Sequence, residues 1–319
     1  MAEKIPLLVV CGPTASGKTG LAVELAKLYN GEVVSADSMQ IYKGLSVATA
    51  KPTSEEMQGI KHHLIDFLEP DEPFSVADYV RLARQCIDDI VSRGKLPILC
   101  GGTGLYISSL VDNVKFDESV GNTQKREELR AYAEAFGKHS LWKRLSSVDP
   151  EAAAVIHENN LNRVIRALEV YDVTGKTLTQ LKKESRLEAS PFDSCIIGIG
   201  FEDRQALYDR IDKRVDMMLE NGLVDEVRSF YGRYSPSTAY QAIGYKELIP
   251  YFEGEISLDE AVEKIKLETR HYAKRQLTWF RRMEGVEWVY ADKSENYKNF
   301  LNIVQKIVAK SEIMCYNIW

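Results

Sequence analysis

Leu7 to Thr19 reads LLVVCGPTASGKT: an apolar run, then Gly12, four residues, and Gly17-Lys18-Thr19. This G-x-x-x-x-G-K-[ST] spacing, set between a strand-like run and a helix-like one, is a P-loop. Each residue type has a physical reason. Glycine lets the backbone fold round an anion without Cβ interference. The amides of Gly12, Pro13, Thr14, Ala15, Ser16 and Gly17 (proline excepted) and the N-terminus of the next helix offer partial positive charge to phosphate. Lys18 adds a point charge, and the Thr19 hydroxyl can reach a phosphate-bound Mg²⁺. The motif demands a parallel α/β sheet with a phosphate-bearing ligand at one edge. It leaves open which ligand and which bond breaks.

The order of the elements follows from that start. Leu21–Leu28 has helical spacing and stops at Gly31, and residues 32–36 form a second strand. Asp37-Ser38-Met39-Gln40 then falls at a strand's C-terminal edge, where open α/β sheets bind ligands. There Asp37 can act on a substrate lying across the phosphate site, or merely cap a turn. Residues 43–75 read as loop-rich, with His62-His63 assigned to surface or packing. Ser75 and Asp78 make a capping box for a helix over Val76–Val91. Leu96–Cys100 is a third strand, ending in Gly101-Gly102-Thr103 where phosphoryl-transfer P-loop enzymes usually place a Mg²⁺-binding acid. That substitution argues against an ATPase or GTPase. It leaves Thr103 as a neutral hydrogen-bond donor at the site, or a plain N-cap.

The periodicity from about 113 to 190 is helical throughout, including Glu127–Phe136, a helix opening at Asp149-Pro150, and Asn162–Val173. A strand returns only at Cys195–Phe201. The chain therefore reads as a P-loop NTPase-like α/β core with a parallel sheet flanked by helices (1–112 and 191–319), interrupted by an inserted helical lobe (113–190). After the last core strand, Arg204–Glu220 carries Arg210 and Arg214 on one face. A long helix from Leu258 to about Met283, with a capping box at Ser257 and Glu260, sets Lys266, Arg270, Lys274 and Arg281 opposite its apolar side. A basic stripe of this kind beside Tyr272 and Trp279 suits nucleic-acid phosphate, or is an ordinary solvated helix face. The net charge of −6 pulls the other way, but clustering matters more than the total. Val286–Tyr290 and Tyr297–Val308 close the chain as strand and helix.

Five scattered cysteines without a C-x-x-C pair read as reduced thiols, so zinc is not expected. No run nears the roughly 18 apolar residues of a membrane span, and the first strand starts too early for a signal peptide. A cytoplasmic monomer is the expectation.

Six stretches, in order, resemble the bacterial tRNA dimethylallyltransferases. They are Gly12–Thr19; Asp37-Ser38-Met39-Gln40-Ile41-Tyr42; Gly101-Gly102-Thr103-Gly104-Leu105-Tyr106; Arg166-Ala167-Leu168-Glu169-Val170; Ile243-Gly244-Tyr245-Lys246-Glu247; and Ala273-Lys274-Arg275-Gln276-Leu277-Thr278-Trp279. The resemblance implies transfer of a dimethylallyl group from dimethylallyl diphosphate to the N6 amine of the adenosine 3′ of the anticodon, in tRNAs reading codons that begin with U. It implies Mg²⁺, and a P-loop that holds diphosphate. It also implies catalytic roles for Lys18, Asp37, Thr103 and Arg214, with Thr103 on the diphosphate. Contacts to tRNA are implied at Asp37, Ser38, Met39, Gln40, Thr103, Arg126, Asn162, Arg163, Arg166, Gly244, Tyr245, Lys246, Lys274 and Arg275. Asn162 departs from the family, which usually has a basic or glutamine residue before Arg163. Three rivals share parts of this pattern: prenyl transfer to free adenine nucleotides, a P-loop small-molecule kinase, and an RNA-binding module with a relic phosphate site.

Overall fold

The computed structural model describes residues 4–116, 123–185, 188–233 and 238–316. The chain forms two compact units, residues 1–111 with 191–319, and residues 112–190. The first unit opens with β1 (Ile5–Cys11), α1 (Lys18–Leu28), β2 (Gly31–Ser35), α2 (Ser54–Met57), β3 (His62–His63), α3 (Val76–Ser92), β4 (Leu96–Gly101) and α4 (Gly104–Val111). The second contains α5 (Thr123–Phe136), α6 (Lys138–Val148), α7 (Pro150–Val155), α8 (Leu161–Thr174) and α9 (Leu178–Glu184). The first unit resumes with β5 (Phe192–Gly200), α10 (Arg204–Glu220), α11 (Leu223–Phe230), α12 (Tyr245–Phe252), α13 (Leu258–Phe280), β6 (Val286–Tyr290) and α14 (Tyr297–Lys310).

The sheet order is β3-β2-β4-β1-β5-β6, and every pairing is parallel. The P-loop strand lies centrally, covered on both faces. That explains its unbroken apolar run, since parallel strands bury both sides. Register decides what meets at the ligand edge. Cys11 lies opposite Gly101 and Gly198, and Ser35 opposite Cys100. The segments leaving β1, β2 and β4 are the P-loop, the Asp37 turn and Gly102-Thr103, so the sheet delivers all three to one place.

The core on one side joins β1, β4 and β5 to α1 and to Phe300, Val304 and Val308 of α14. A separate cluster packs Ile41, Tyr42 and Leu45 against α10, α11, α12 and α13. The helical unit has its own core, built on Leu129, Leu141, Leu145 and Leu168. Both expected capping boxes form, at Ser75 and Ser257, and Asp149 caps α7 with Pro150 in its first turn.

Several boundaries differ from the sequence expectation. The first helix begins at Lys18, inside the P-loop motif. The stretch expected as loop holds α2 and the two-residue β3, and α6 and α9 add helices the periodicity does not single out. His63 serves packing: its ring lies 2.7 Å from the buried Glu32, which also takes Arg93 and Lys95. All five cysteines are free, with Cys11, Cys100 and Cys195 buried. Among the described residues, no helix is long and apolar enough to cross a membrane, and no group of three His, Cys, Asp or Glu side chains could hold a metal ion.

Candidate active site

A cavity of about 300 Å³ opens at the C-terminal edge of the sheet. Thr14, Lys18 and Thr19 of the P-loop line it, together with Asp37, Ser38, Met39, Gln40, Gly102, Arg214, Gly244, Lys246, Tyr272, Arg275 and Gln276. Residues from six separate stretches thus converge.

The loop itself is gripped at three consecutive positions. Lys18 Nζ donates to the Pro13 carbonyl at 2.6 Å, the Thr14 N–H donates to Gln276 Oε1 at 2.8 Å, and Arg210 Nε donates to the Ala15 carbonyl at 2.8 Å. Ala15 holds φ of +61°, a left-handed conformation that an unsupported alanine seldom takes. Gly12 admits no side chain, because a Cβ there would sit 2.7 Å from the Ile199 carbonyl oxygen. The Ser16 hydroxyl is buried with no partner among the described residues.

Two partly buried cations, Lys18 and Arg214, face this cavity without a bonded carboxylate among the described residues. Burial pushes the Lys18 ammonium down to about 8, helped by the nearby Arg214 charge. Burial likewise lowers Arg214, against a smaller opposing pull from Asp37, and its Nε has no hydrogen-bond partner. Two partly buried cations, an orphaned guanidinium N–H and an orphaned P-loop hydroxyl describe a place for a polyanion. Mg²⁺ fits the same place in a limited way. Thr19 supplies one hydroxyl, which suffices for an ion that keeps its waters and takes its other ligands from phosphate.

Asp37 caps a turn and also faces the cavity. Its Oδ1 accepts from the Met39 and Gln40 amides at 2.9 and 3.3 Å, and Oδ2 has no protein hydrogen-bond partner among the described residues. Both sequence readings of Asp37 are therefore compatible, since the cap fixes the carboxylate. Thr103 Oγ1 accepts from the Ser38 N–H at 3.0 Å and donates to the Ser38 hydroxyl at 3.3 Å, so it braces the Asp37 turn. Gln40 spans to the Thr49 and Ala50 carbonyls, both at 3.2 Å.

The expected tRNA contacts are in mixed settings. Gly244 and Lys246 reach the cavity, while Tyr245 between them is buried and donates to Glu226 at 3.2 Å. On α13, Lys274 and Arg275 are exposed. Lys266 and Arg270, however, pair with Asp216 and Asp212 of α10, which halves the stripe read from sequence. In the helical unit Arg126 and Arg166 each bond the fully buried Glu169 at 2.8 Å. Arg163 is exposed, and Asn162 lies 3.5 Å from Arg130.

Four residues that hold the site are given no role at it by the sequence alone. Glu226 accepts from the Ser46, Val47 and Ala48 amides, fixing the loop behind Gln40 across about 180 residues of chain. No local signal marks it. Arg210 stands one helical turn before Arg214, and the sequence places both on one face without giving Arg210 a part. Gln276 and Tyr272 lie among the basic residues of α13, where polar neighbours on one stripe are easily taken for surface.

Residues 40–283 match the family model described as IPP transferase. The chain belongs to the IPP transferase family. A family relative named tRNA dimethylallyltransferase, from Thermoanaerobacter pseudethanolicus, is 50% identical over 310 residues, covering 96% of this chain and 98% of that protein. One of the same name from Bacillus pumilus is 45% identical over 318 residues, covering 97% and 99%. The crystal structure of the full-length tRNA isopentenylpyrophosphate transferase from Bacillus halodurans superposes with a TM-score of 0.71 at 43% identity, covering 98% of this chain and all of that one. A eukaryotic dimethylallyltransferase captured acting on tRNA gives 0.82 at 29% identity, covering 96% and 80%. The IPP transferase fold is thus a P-loop-like α/β sheet flanked by helices, as the motif demands.

Proposed function

We propose that this chain is a tRNA dimethylallyltransferase. It moves the dimethylallyl group of dimethylallyl diphosphate to the N6 amine of the adenosine 3′ of the anticodon in tRNAs that read U-initial codons. The observation that carries the reading is the pairing of Lys18 and Arg214, two cations without a carboxylate partner, with the Asp37 carboxylate at the mouth of one cavity. Chain and relatives match over nearly their whole lengths, and those relatives carry that name.

In the reaction the N6–C1 bond forms, the C1–O bond to diphosphate breaks, and one proton leaves the amine. Lys18, Arg214 and the P-loop amides receive the negative charge that gathers on the departing diphosphate. Asp37 Oδ2 takes the proton, while Oδ1 stays on the turn amides and fixes the approach. Thr103 steadies that turn through Ser38. Bound Mg²⁺ would add positive charge beside Thr19. An exocyclic amine is a weak nucleophile, so holding it against the allylic carbon supplies much of the rate. The target base must leave its stack to enter a pocket of this kind. Exposed Arg163, Lys274 and Arg275, with Gly244 and Lys246 at the cavity wall, are the RNA contacts in this reading.

The test is direct. Purified protein, Mg²⁺, dimethylallyl diphosphate and an unmodified anticodon stem-loop should yield one added C5H8 unit on that adenosine by mass spectrometry. Modification of free AMP in its place would favour the nucleotide-specific rival.

A pH dependence follows from Lys18. Its charged form holds the diphosphate, and free Lys18 titrates near 8. Affinity is full below that value and is lost as pH rises through it. Between pH 7 and 9 the affinity for inorganic diphosphate should fall about tenfold. A Lys18→Arg variant, charged throughout, corrects for the ionisation of diphosphate itself. Equal slopes for both proteins would show that Lys18 does not titrate in this range.

A further inference from the structure

Gln276 has no assigned part in the chemistry above, yet its environment is unusual. Its side chain is 5% exposed. Oε1 accepts from the Thr14 N–H at 2.8 Å and Nε2 donates to the Gly102 carbonyl at 2.9 Å. These partners lie 262 and 174 residues away in sequence, one in the P-loop and one at the end of β4. A carboxamide presents one acceptor and one donor side by side, as these two main-chain groups require; a carboxylate has no donor and an ammonium no acceptor. The fit is close. A Cβ on Gly102 would lie 2.3 Å from Nε2, so glycine is needed there for the amide to reach. Tyr272, one turn earlier on α13, lies within reach of both the Thr103 and Gln276 side chains.

We infer that Gln276 is a positioning residue that sets the separation between the diphosphate cradle and the turn that carries the acceptor of the amine proton. This rests on the transfer reaction proposed above. Main-chain bonds hold β1 and β4 in register only as far as Cys11 and Gly101. Beyond that point the P-loop and the Gly102-Thr103 segment leave the sheet, and Gln276 is the bridge between them. Thr103 in turn holds Ser38, the neighbour of Asp37. The amide therefore fixes the step from Thr14 to Gly102, and the Thr103–Ala36 main-chain bond carries it on to Asp37. It acts on the diphosphate through the loop conformation alone.

Gln276→Met keeps the length and the packing but removes both hydrogen bonds. The affinity for inorganic diphosphate, read by calorimetry, and the KM for dimethylallyl diphosphate should each weaken about tenfold. The Kd for the anticodon stem-loop should stay within about twofold. Gln276→Glu, should the methionine variant fail to fold, keeps the acceptor for Thr14 but puts a carboxylate against the Gly102 carbonyl and beside the anion site. Its loss of diphosphate affinity should be larger. Unchanged diphosphate affinity in both variants would overturn the inference. So would equal losses for diphosphate and stem-loop, which mark general damage. A wild-type protein that binds diphosphate but transfers nothing would instead defeat the reaction and leave the role of Gln276 in the loop standing.

Discussion

Asp37→Asn is expected to lower single-turnover transfer about 10³-fold, the middle of the range for a lost general base, with stem-loop affinity nearly unchanged. Asparagine is the informative substitution because Asp37 has two functions. Its Oδ1 caps the turn through the Met39 and Gln40 amides. An asparagine oxygen can do the same, so the turn survives. What it cannot do is accept the amine proton. Asp37→Ala removes both functions, and the difference between the two variants isolates the cap. A lost cap of this type costs about 1 kcal/mol, equivalent to a fivefold effect if all of it reached the transition state. The base is expected to outweigh the cap by two orders of magnitude. If Asp37→Asn transfers at more than a tenth of the wild-type rate, Asp37 is a turn residue and the proton goes elsewhere.

What could be read from sequence follows the range of the interactions involved. The P-loop is local, and its strand, glycines and helix lie within thirteen residues. The meeting of Asp37 with the loop is also legible, because parallel strands bring their C-terminal ends to one edge and Ser35 precedes the acid. The charge on α13 is not legible in this way. Lys266 and Arg270 look like a free stripe until Asp212 and Asp216 of α10 are placed opposite them, fifty or more residues back. Arg126 and Arg166 are similar, since only packing shows that Glu169 is buried and shared. The two-residue β3 and four-residue α2 are too short for periodicity to register. The bond between Thr103 and Ser38 is likewise invisible in sequence, because it joins the end of β4 to the turn after β2 across 65 residues.

Arg214→Met separates stability from ligand binding and should move them in opposite directions. In the free protein Arg214 is a largely buried cation whose Nε has no partner, and burial disfavours its charge. Replacing such a group with an apolar one of similar reach typically stabilises by about 1–2 kcal/mol. For a chain of this size that raises Tm by about 2–4 °C. Asp37 loses a favourable neighbour in the exchange, but Lys18 remains close enough to feel its charge. Adding inorganic diphosphate should reverse the ranking. At one hundred times Kd the ligand stabilises the wild type by about 2.7 kcal/mol. A hundredfold weaker Kd, the loss expected when one donor to the developing anion is removed, leaves the variant about 0.4 kcal/mol at the same concentration. Melting curves with and without diphosphate should therefore cross, with the variant higher when empty and lower when loaded. Transfer from dimethylallyl diphosphate should fall at least a hundredfold in kcat/KM. A variant that melts below the wild type in both conditions would mean that Arg214 is a structural cation. Its unpaired Nε would then have no bearing on the anion that this cavity is built to hold.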